Sequence, residues 1–286
     1  MQMQTKVYIW LLAFAISRIV IPSLTLGVNM DFRIIKYPRT EHLEGSRLQA
    51  GDEDLSQVPF SEILGRNIVI EEKIDGANCA ISFDGDGGLL LQSRGHYLTG
   101  GYRERHYAPL KAWASANREL FYSALGSRYI MYGEWMYAKH TVFYDALPDY
   151  FMEFDILDRE SGVFLDTAHR RAITEEIGIV SSVPVLAEGV FRSAKEILSY
   201  LGRSAYVTDA RTETLRSLAE KQGLSPDEVC RSTDLSGIME GLYVKVEESG
   251  AVTRRVKYVR SEFRQLLLSS DSHWHSRPLI TNQLAR

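Results

Sequence analysis

The chain has 286 residues, of which 45% are hydrophobic and 24% charged, and its formal net charge is −4 at pH 7. These are ordinary globular values, so a disordered, collagen-like or repetitive chain is excluded. A protein that coats nucleic acid through nonspecific charge is usually basic, so any nucleic-acid contact must use a local patch on an acidic body. Two cysteines, Cys79 and Cys230, are too few for a disulfide framework and indicate reduced thiols in a cytosolic protein.

Residues 1–29 differ from the rest of the chain. They form an apolar run that Arg18 and Pro22 interrupt, and their only charged residues are Lys6 and Arg18. Three interpretations are open: an upstream start codon with the folded protein beginning near Met30, a secretory signal, or a membrane anchor. We favour the first, because the composition changes near Met30 from apolar and nearly uncharged to ordinary globular values. We therefore expect a cytoplasmic protein that does not associate with a membrane.

From residue 30 onward the pattern predicts one α+β domain built on antiparallel sheets, because segments rich in β-branched and aromatic residues follow each other through short turns. Residues 84–88 and 248–250 are glycine-containing turns that suit hairpins. The predicted strands are Asn67–Glu72, Cys79–Phe83, Leu89–Ser93, Tyr129–Trp135, Tyr150–Leu157, Leu242–Glu247 and Ala251–Val259.

Helices are predicted between these strands. Residues 107–125 place apolar side chains at near-helical spacing, which predicts a core-facing stripe of Leu110, Trp113, Leu120 and Phe121. Ser193 and Ser225 have the sequence context of helix caps, the first helix ending by Gly202. Residues 187–235 are thus predicted to be a small helical insertion in a domain spanning 30–265, with 266–286 as a short C-terminal tail.

The motif Glu72-Lys73-Ile74-Asp75-Gly76-Ala77-Asn78 lies just after a predicted strand. A lysine can attack the α-phosphate of a nucleotide, but its free pKa of about 10.4 keeps it protonated at neutral pH. Burial or nearby cations must therefore activate it. Because Lys-x-Asp-Gly also fits an exposed lysine beside a hairpin turn, this motif alone is a weak signal.

Further motifs follow in order along the chain. They are Ser93-Arg94-Gly95, Tyr132-Gly133-Glu134-Trp135, Tyr150-Phe151-Met152-Glu153-Phe154-Asp155-Ile156, Glu240-Gly241-Leu242-Tyr243-Val244-Lys245 and Arg255-Val256-Lys257-Tyr258. With these the sequence resembles the covalent nucleotidyltransferase superfamily of polynucleotide ligases and capping enzymes. Within it, the chain is most similar to ATP-dependent RNA ligases of the bacteriophage T4 RNA ligase 2 type, over about residues 34–265.

Two finer features favour RNA ligases over DNA ligases. Asn78 stands where DNA ligases typically have an arginine, five residues after the nucleophile. Tyr37-Pro38-Arg39-Thr40, with Gly45-Ser46-Arg47 after it, is similar to the opening segment of bacterial RNA ligases.

The resemblance implies a role for each motif residue. Lys73 would form the lysyl-AMP intermediate and release pyrophosphate, and Lys245 and Lys257 would face the α-phosphate and lower the pKa of Lys73. Glu240 would hold a divalent cation, Mg²⁺ or Mn²⁺. Nucleotide contacts would come from Glu72, Ile74, Asn78, Arg94 (phosphate or ribose), Glu134 (ribose hydroxyl), Phe154 (adenine stacking), Glu240, Lys245 and Lys257.

Ordinary structural roles stay open for several of these residues. Arg94 fits a surface salt bridge, Phe154 fits a core aromatic, and Lys245 fits a solvated lysine on an outer face. His96, His106 and His140 do not have a recognisable metal-binding spacing.

The sequence departs from the resembling family in two places. The last strand carries Val259 where a second lysine is expected, and Arg255 or Arg260 is open as a substitute. The chain ends 23 residues after Phe263, which is short for the extra C-terminal domain that many ligases use to grip nucleic acid. We therefore expect strand joining to depend on the surface near residues 96–118 or on an accessory protein, although a solvated helix face explains that surface equally well.

The resemblance implies an enzyme that seals RNA 5′-phosphate and 3′-hydroxyl ends, most often in a nicked duplex, through lysyl-AMP and an adenylylated RNA end. The alternatives within the superfamily are a DNA ligase and a GTP-using capping enzyme. The alternative from another class is a noncatalytic nucleic-acid-binding domain with the same fold.

Overall fold

The computed structural model describes residues 33–48, 51–52, 54–263 and 279–285, without the side chain of Arg103. The chain divides into two compact units, residues 1–31 and 32–286, and all described residues belong to the second. The predicted apolar extension 1–29 and residues 266–278 of the predicted tail lie outside the described residues. Within the described ranges, no helix is both long and apolar enough to cross a membrane.

Strands and helices alternate through most of the second unit. The strands are β1 Glu41–Leu43, β2 Gln57–Val58, β3 Asn67–Lys73, β4 Ala77–Phe83, β5 Leu89–Ser93, β6 Tyr129–Trp135, β7 Phe151–Asp158, β8 Val163–Phe164, β9 Ser181–Ser182, β10 Val185–Val190, β11 Gly241–Glu248 and β12 Ala251–Val259. The helices are α1 Ala108–Ala116, α2 Arg118–Leu125, α3 Thr167–Ile177, α4 Ala194–Leu198, α5 Arg211–Lys221 and α6 Pro226–Arg231, with 3₁₀ turns at Phe60–Glu62 and Tyr102–Tyr107.

The strands form two sheets. The first has the order β10-β3-β11-β12-β1-β2, and the second has the order β5-β4-β6-β7-β8 with β9 beside β7. All pairs between the long strands are antiparallel, whereas the short strands β1, β2 and β9 pair in parallel with their neighbours. The predicted α+β class with antiparallel sheets is therefore confirmed.

The outer face of each sheet carries an apolar core. In β3 and β11 alternate residues point to one face, and Ile68, Ile70, Leu242 and Val244 are fully buried there. The second sheet packs its outer face on α1, α2 and α3. The inner faces meet through charged and aromatic side chains instead, and this polar layer determines where the lysines of the predicted site can lie.

The predicted helix 107–125 is two helices. The backbone breaks at Asn117, where φ is −108° and ψ is 19°. Because the break changes the rotational phase, Phe121 and Leu125 are buried, whereas Leu120 is 44% exposed. The expected core-facing position of Leu120 is therefore wrong.

The boundaries of the helical insertion differ from those expected. Residues 187–190 belong to β10, which pairs with β3, so the helical part begins after this strand. Ser193 and Ser225 accept hydrogen bonds from the amides of Glu196 and Glu228, which confirms both caps. The sequence reasoning missed α3 and α5.

Residues 279–285, predicted as part of a tail, pack into the domain. Asn282 is fully buried, its amide group donates to the Met136 carbonyl at 2.7 Å, and its carbonyl accepts from the Tyr144 amide at 3.0 Å. The C-terminal residues thus support residues 136–147, which follow β6 and border the site.

Candidate active site

Lys73 is the last residue of β3, at the end of the sheet where β4 begins after a short turn. Its Nζ lies 2.7 Å from Oε2 of Glu240, and its side chain is 18% exposed. Gly76 permits the turn, because a Cβ there would lie 2.6 Å from the Met136 sulfur and 2.8 Å from the Trp135 carbonyl oxygen. The turn therefore holds Lys73 at an accessible strand end beside a buried carboxylate.

The charges of three carboxylates, Glu240, Glu134 and Asp75, act on the Lys73 ammonium. Burial raises the pKa of Glu134 to about 8, with Lys73 opposing and the like charges of Asp75 and Glu240 adding to the shift. Glu134 also accepts a hydrogen bond from the Gly76 amide at 3.1 Å. Asp75 faces the other way, since its carboxylate accepts from the amides of Thr141 and Val142 at 2.7 and 3.0 Å.

The pKa of Lys73 differs from the sequence expectation. Burial lowers this pKa, but the attraction of Glu240, Glu134 and Asp75 outweighs burial, so the net shift is upward. Neighbouring lysines were expected to lower it. In the free protein Lys73 is therefore a cation held by Glu240, and the carboxylates must be neutralised before it can act as a nucleophile.

Lys257 lies close to Lys73, on β12. Burial lowers the pKa of Lys257, a hydrogen bond to Asp52 opposes this effect, and the Lys73 charge adds to it. Although burial would raise the pKa of Asp52, hydrogen bonds from Lys257, His42 and Arg39 lower it to about 2. Lys257 thus lies near Lys73 and forms an ion pair with Asp52, in the segment between β1 and β2.

Lys245 does not lie at the site. Its Nζ is fully buried between the sheets, 2.7 Å from Glu71 and 3.2 Å from Asp155, and it also donates to the Phe154 carbonyl. Alternation correctly places Lys245 on the face of Tyr243, but that face is covered by the second sheet. In this structure the acids of the inner layer hold Lys245, and its contact with the α-phosphate stays a prediction.

The two arginines open as substitutes for the missing second lysine both have partners in the structure, and a phosphate contact by either stays a prediction. The Arg255 guanidinium lies 3.5 Å from Asp155 and packs 3.7 Å from the Phe164 ring centroid. Arg260 is buried and binds Asp234 and the Met239 carbonyl, so it holds residues 234–239. Val259 itself packs in an apolar cluster with Ile74.

The other predicted nucleotide contacts are spread around Lys73. Ile74 is buried in that same cluster, whose members include Met136 and Met152. Asn78 pairs with Glu134 across β4 and β6, and its buried Oδ1 has no hydrogen-bond partner among the described residues. Both residues are therefore beside Lys73, and their nucleotide contacts remain predictions.

Glu72, Arg94 and Phe154 occupy different environments. Glu72 points to the opposite face of β3 and accepts from the Ala205 amide at 3.0 Å, so its carboxylate is turned away from Lys73. Arg94 is exposed and follows Ser93, which pairs with Cys79, so it lies at the same sheet end as Asn78. Phe154 lies between the sheets, 5.0 Å from the ring of Tyr37 and against the cluster of Ile74.

Sequence reasoning missed several residues around these lysines. Asp52 and His42 are more than 200 residues from Lys257, and only the parallel pairing of β1 with β12 brings them together. Arg170 on α3 binds Glu71 and Glu153 in the inner layer. The N-cap Asp166 and the left-handed Gly178 are signals from which α3 could have been found.

No cluster of three or more metal-ligating side chains occurs in the ranges that the structure describes. His96 and His140 are placed near Glu104 and Asp75, at 3.8 and 3.9 Å, and do not converge.

The site thus brings together Lys73, the buried Glu240 and Lys257 at one end of the first sheet. A family model described as RNA ligase matches residues 66–259. This is more than half of the chain, and the chain therefore belongs to the RNA ligase family. The finer likeness to the bacteriophage T4 RNA ligase 2 type stays a prediction.

Solved structures similar to this chain include variants of an RNA ligase from Naegleria gruberi. A form with AMP and Mn is 15% identical, with a TM-score of 0.48, and covers 79% of this chain and 56% of that one. A form with ATP and Mn is 16% identical, with a TM-score of 0.48, and covers 80% of this chain and 56% of that one. This chain thus spans about half the length of these relatives, and no curated protein matches its sequence.

Proposed function

We propose that the protein is an ATP-dependent RNA ligase that uses Lys73 as the covalent acceptor of AMP. The observation that carries the proposal is the placement of Lys73 at an accessible strand end, 2.7 Å from Glu240 and close to Lys257. Family membership and the ATP and AMP complexes of the Naegleria gruberi enzyme support it.

In the first step the Lys73 amine attacks the α-phosphorus of ATP. A P–N bond forms, the bond to the β-phosphate breaks, pyrophosphate leaves with the electron pair, and the amine loses its proton to solvent. Lys257 stabilises the negative charge that develops on the phosphate. Asn78 offers a buried acceptor to the nucleoside, and Ile74 with its neighbours offers an apolar surface to adenine.

A divalent cation fits the acids around Lys73. Glu134 is held partly protonated near neutral pH because burial and like charges crowd this end of the sheet. Mg²⁺ or Mn²⁺ held by Glu240 would neutralise the Glu240 carboxylate and part of the phosphate charge. Because the attraction of Glu240 would then no longer raise the pKa of Lys73, burial would lower it.

In the second and third steps AMP passes to an RNA 5′-phosphate, and a 3′-hydroxyl then displaces AMP to seal the break. A surface beside the site supports contact with unpaired bases. Tyr102 is 74% exposed and carries the Arg105 guanidinium 5.0 Å from its ring centroid, an arrangement suited to stacking. Its 3₁₀ turn is anchored next to Glu134, because Trp135 donates to the His106 carbonyl at 2.7 Å.

The test is incubation of the protein with labelled ATP and Mg²⁺, followed by a denaturing gel and peptide mass analysis. We expect a mass gain equal to AMP on the peptide that contains Lys73. Labelling by GTP in place of ATP would assign a capping-type enzyme, and no labelling with either nucleotide would leave a noncatalytic binding domain. Because the reaction draws on ATP, we also infer a cytoplasmic location.

We further predict that sealing needs a ribose at the 3′-hydroxyl end, whereas a DNA 5′-phosphate strand is accepted. The phosphate contacts are common to DNA and RNA, but the accepting hydroxyl must be aligned within about 3–3.5 Å of the phosphorus. The 2′-hydroxyl, which distinguishes RNA from DNA, affects that alignment. Nicked duplexes with one or two ribonucleotides on either side of the break measure this requirement.

Equal rates on all-DNA and 3′-ribonucleotide nicks would make the protein a DNA ligase. If AMP attachment is normal but the isolated chain seals none of these nicks, strand joining depends on an accessory protein and not on the surface near residues 96–118, the two alternatives that the sequence leaves open. Rapid sealing by the isolated chain would remove that requirement.

A further inference from the structure

Lys73, Gly241 and Val259 lie side by side on β3, β11 and β12 and form a row across the first sheet. Lys73 is the only cation among these three residues. Lys73 pairs with Gly241, and Gly241 pairs with Val259. Gly241 allows the strands to approach closely, because a Cβ there would lie 1.8 Å from the Tyr258 carbonyl oxygen. Val259 is apolar, and Arg255 and Arg260 are engaged elsewhere, so β12 supplies only Lys257 to a phosphate.

The segment between β1 and β2 continues this row beyond Val259. The Val259 amide donates to Ser46 Oγ at 2.8 Å, and the Arg47 amide donates to the Val259 carbonyl at 2.9 Å. Adjacent strands lie about 4.8 Å apart, so the Arg47 backbone lies roughly 15 Å from that of Lys73. A nucleotide triphosphate held between two extended side chains can bridge such a gap.

The Arg47 guanidinium lies at the site end of the sheet, where it contacts the segment that follows β12. It is exposed and donates to the Ser261 carbonyl at 2.6 Å. Ser261 follows Arg260, whose amide donates to the Glu240 carbonyl at 3.2 Å. Among the described residues no carboxylate lies within ion-pair distance of Arg47. Its planar fork of donors suits phosphate oxygens.

We propose that Arg47 is a substrate-binding residue that supplies the second cation, gripping the β- and γ-phosphates of ATP and the departing pyrophosphate. This inference rests on the proposed ligase function. The α-phosphorus must meet the Lys73 amine near Lys257, so the outer phosphates extend toward the exposed end of the row, where Arg47 lies. When the P–N bond forms, the negative charge accumulates on the pyrophosphate, and Arg47 stabilises it there.

The test compares Arg47→Ala with the wild-type protein in single-step assays. We expect the KM for ATP in lysyl-AMP formation to rise by roughly 10- to 100-fold, because a charged hydrogen-bond pair is lost. The concentration of pyrophosphate that discharges isolated lysyl-AMP should rise similarly. Sealing of chemically adenylylated RNA, which involves no pyrophosphate, should stay unchanged, and Arg47→Lys should retain part of the ATP affinity.

Arg192→Ala removes another exposed arginine, next to α4, and is the matched control that should behave as wild type. Unchanged KM and pyrophosphate dependence in Arg47→Ala would overturn the inference. An equal loss in the sealing of adenylylated RNA would also overturn it, since Arg47 would then grip RNA. Absence of label on wild-type Lys73 would instead overturn the ligase function itself.

Discussion

Replacing Lys73 by alanine is expected to abolish AMP attachment, with a loss of at least about a thousandfold. In the proposed mechanism the Lys73 amine forms the P–N bond, and the nearby Lys257, on β12, is held by Asp52. The measurement is retention of labelled AMP on the protein after denaturation, with intact mass as the readout.

The Lys73→Ala variant also leaves Glu240 buried without its ammonium partner, so its folding needs a separate control. Lys73→Arg keeps a cation beside Glu240 but has no nucleophilic amine at neutral pH. We expect it to unfold at nearly the wild-type denaturant concentration and still take up no AMP. Acid-labile AMP on the folded Lys73→Arg protein would show that another residue is the acceptor.

The positions of the long strands along the chain and the placement of Lys73 at a strand end could be predicted from sequence because both depend on local patterns. Alternating apolar residues identify β3, β4, β6, β11 and β12, and the Asp-Gly turn places Lys73 at a strand end. The need for glycine at positions 76 and 241 could not be predicted from sequence. At both positions neighbouring backbone or side-chain atoms occupy the space that a Cβ would need.

The charge environment of the site could not be predicted in the same way. Alternation assigns a residue to a face of a sheet, but it does not say what covers that face. For Lys245 alternation predicts the correct face of the sheet but not the partners found there, because Asp155 comes from the other sheet. The partner of Lys257, Asp52, comes from a segment whose pairing with β12 is parallel and distant in sequence.

We therefore predict different roles for Lys245 and Lys257: Lys245 contributes to folding stability, and Lys257 contributes to the reaction. Lys245, Arg170 and Arg255 balance three buried acids, Glu71, Glu153 and Asp155, in the layer between the sheets. A charge removed from such a balanced group leaves a buried partner uncompensated. Lys257, by contrast, is paired with Asp52, which keeps His42 and Arg39 as partners if the lysine is lost.

Lys245→Met is accordingly expected to lower the free energy of unfolding by about 3–5 kcal/mol, measured by urea titration. Lys257→Met should change unfolding little but slow AMP attachment by roughly 10²–10³-fold, the range for loss of one transition-state charge contact. The double variant Lys245→Met/Glu71→Gln removes one charge of each sign and should recover part of the lost stability. A stable Lys245→Met protein that fails to take up AMP would instead place Lys245 on the phosphate. In that case the ion pairs with Glu71 and Asp155 would have to open when ATP binds.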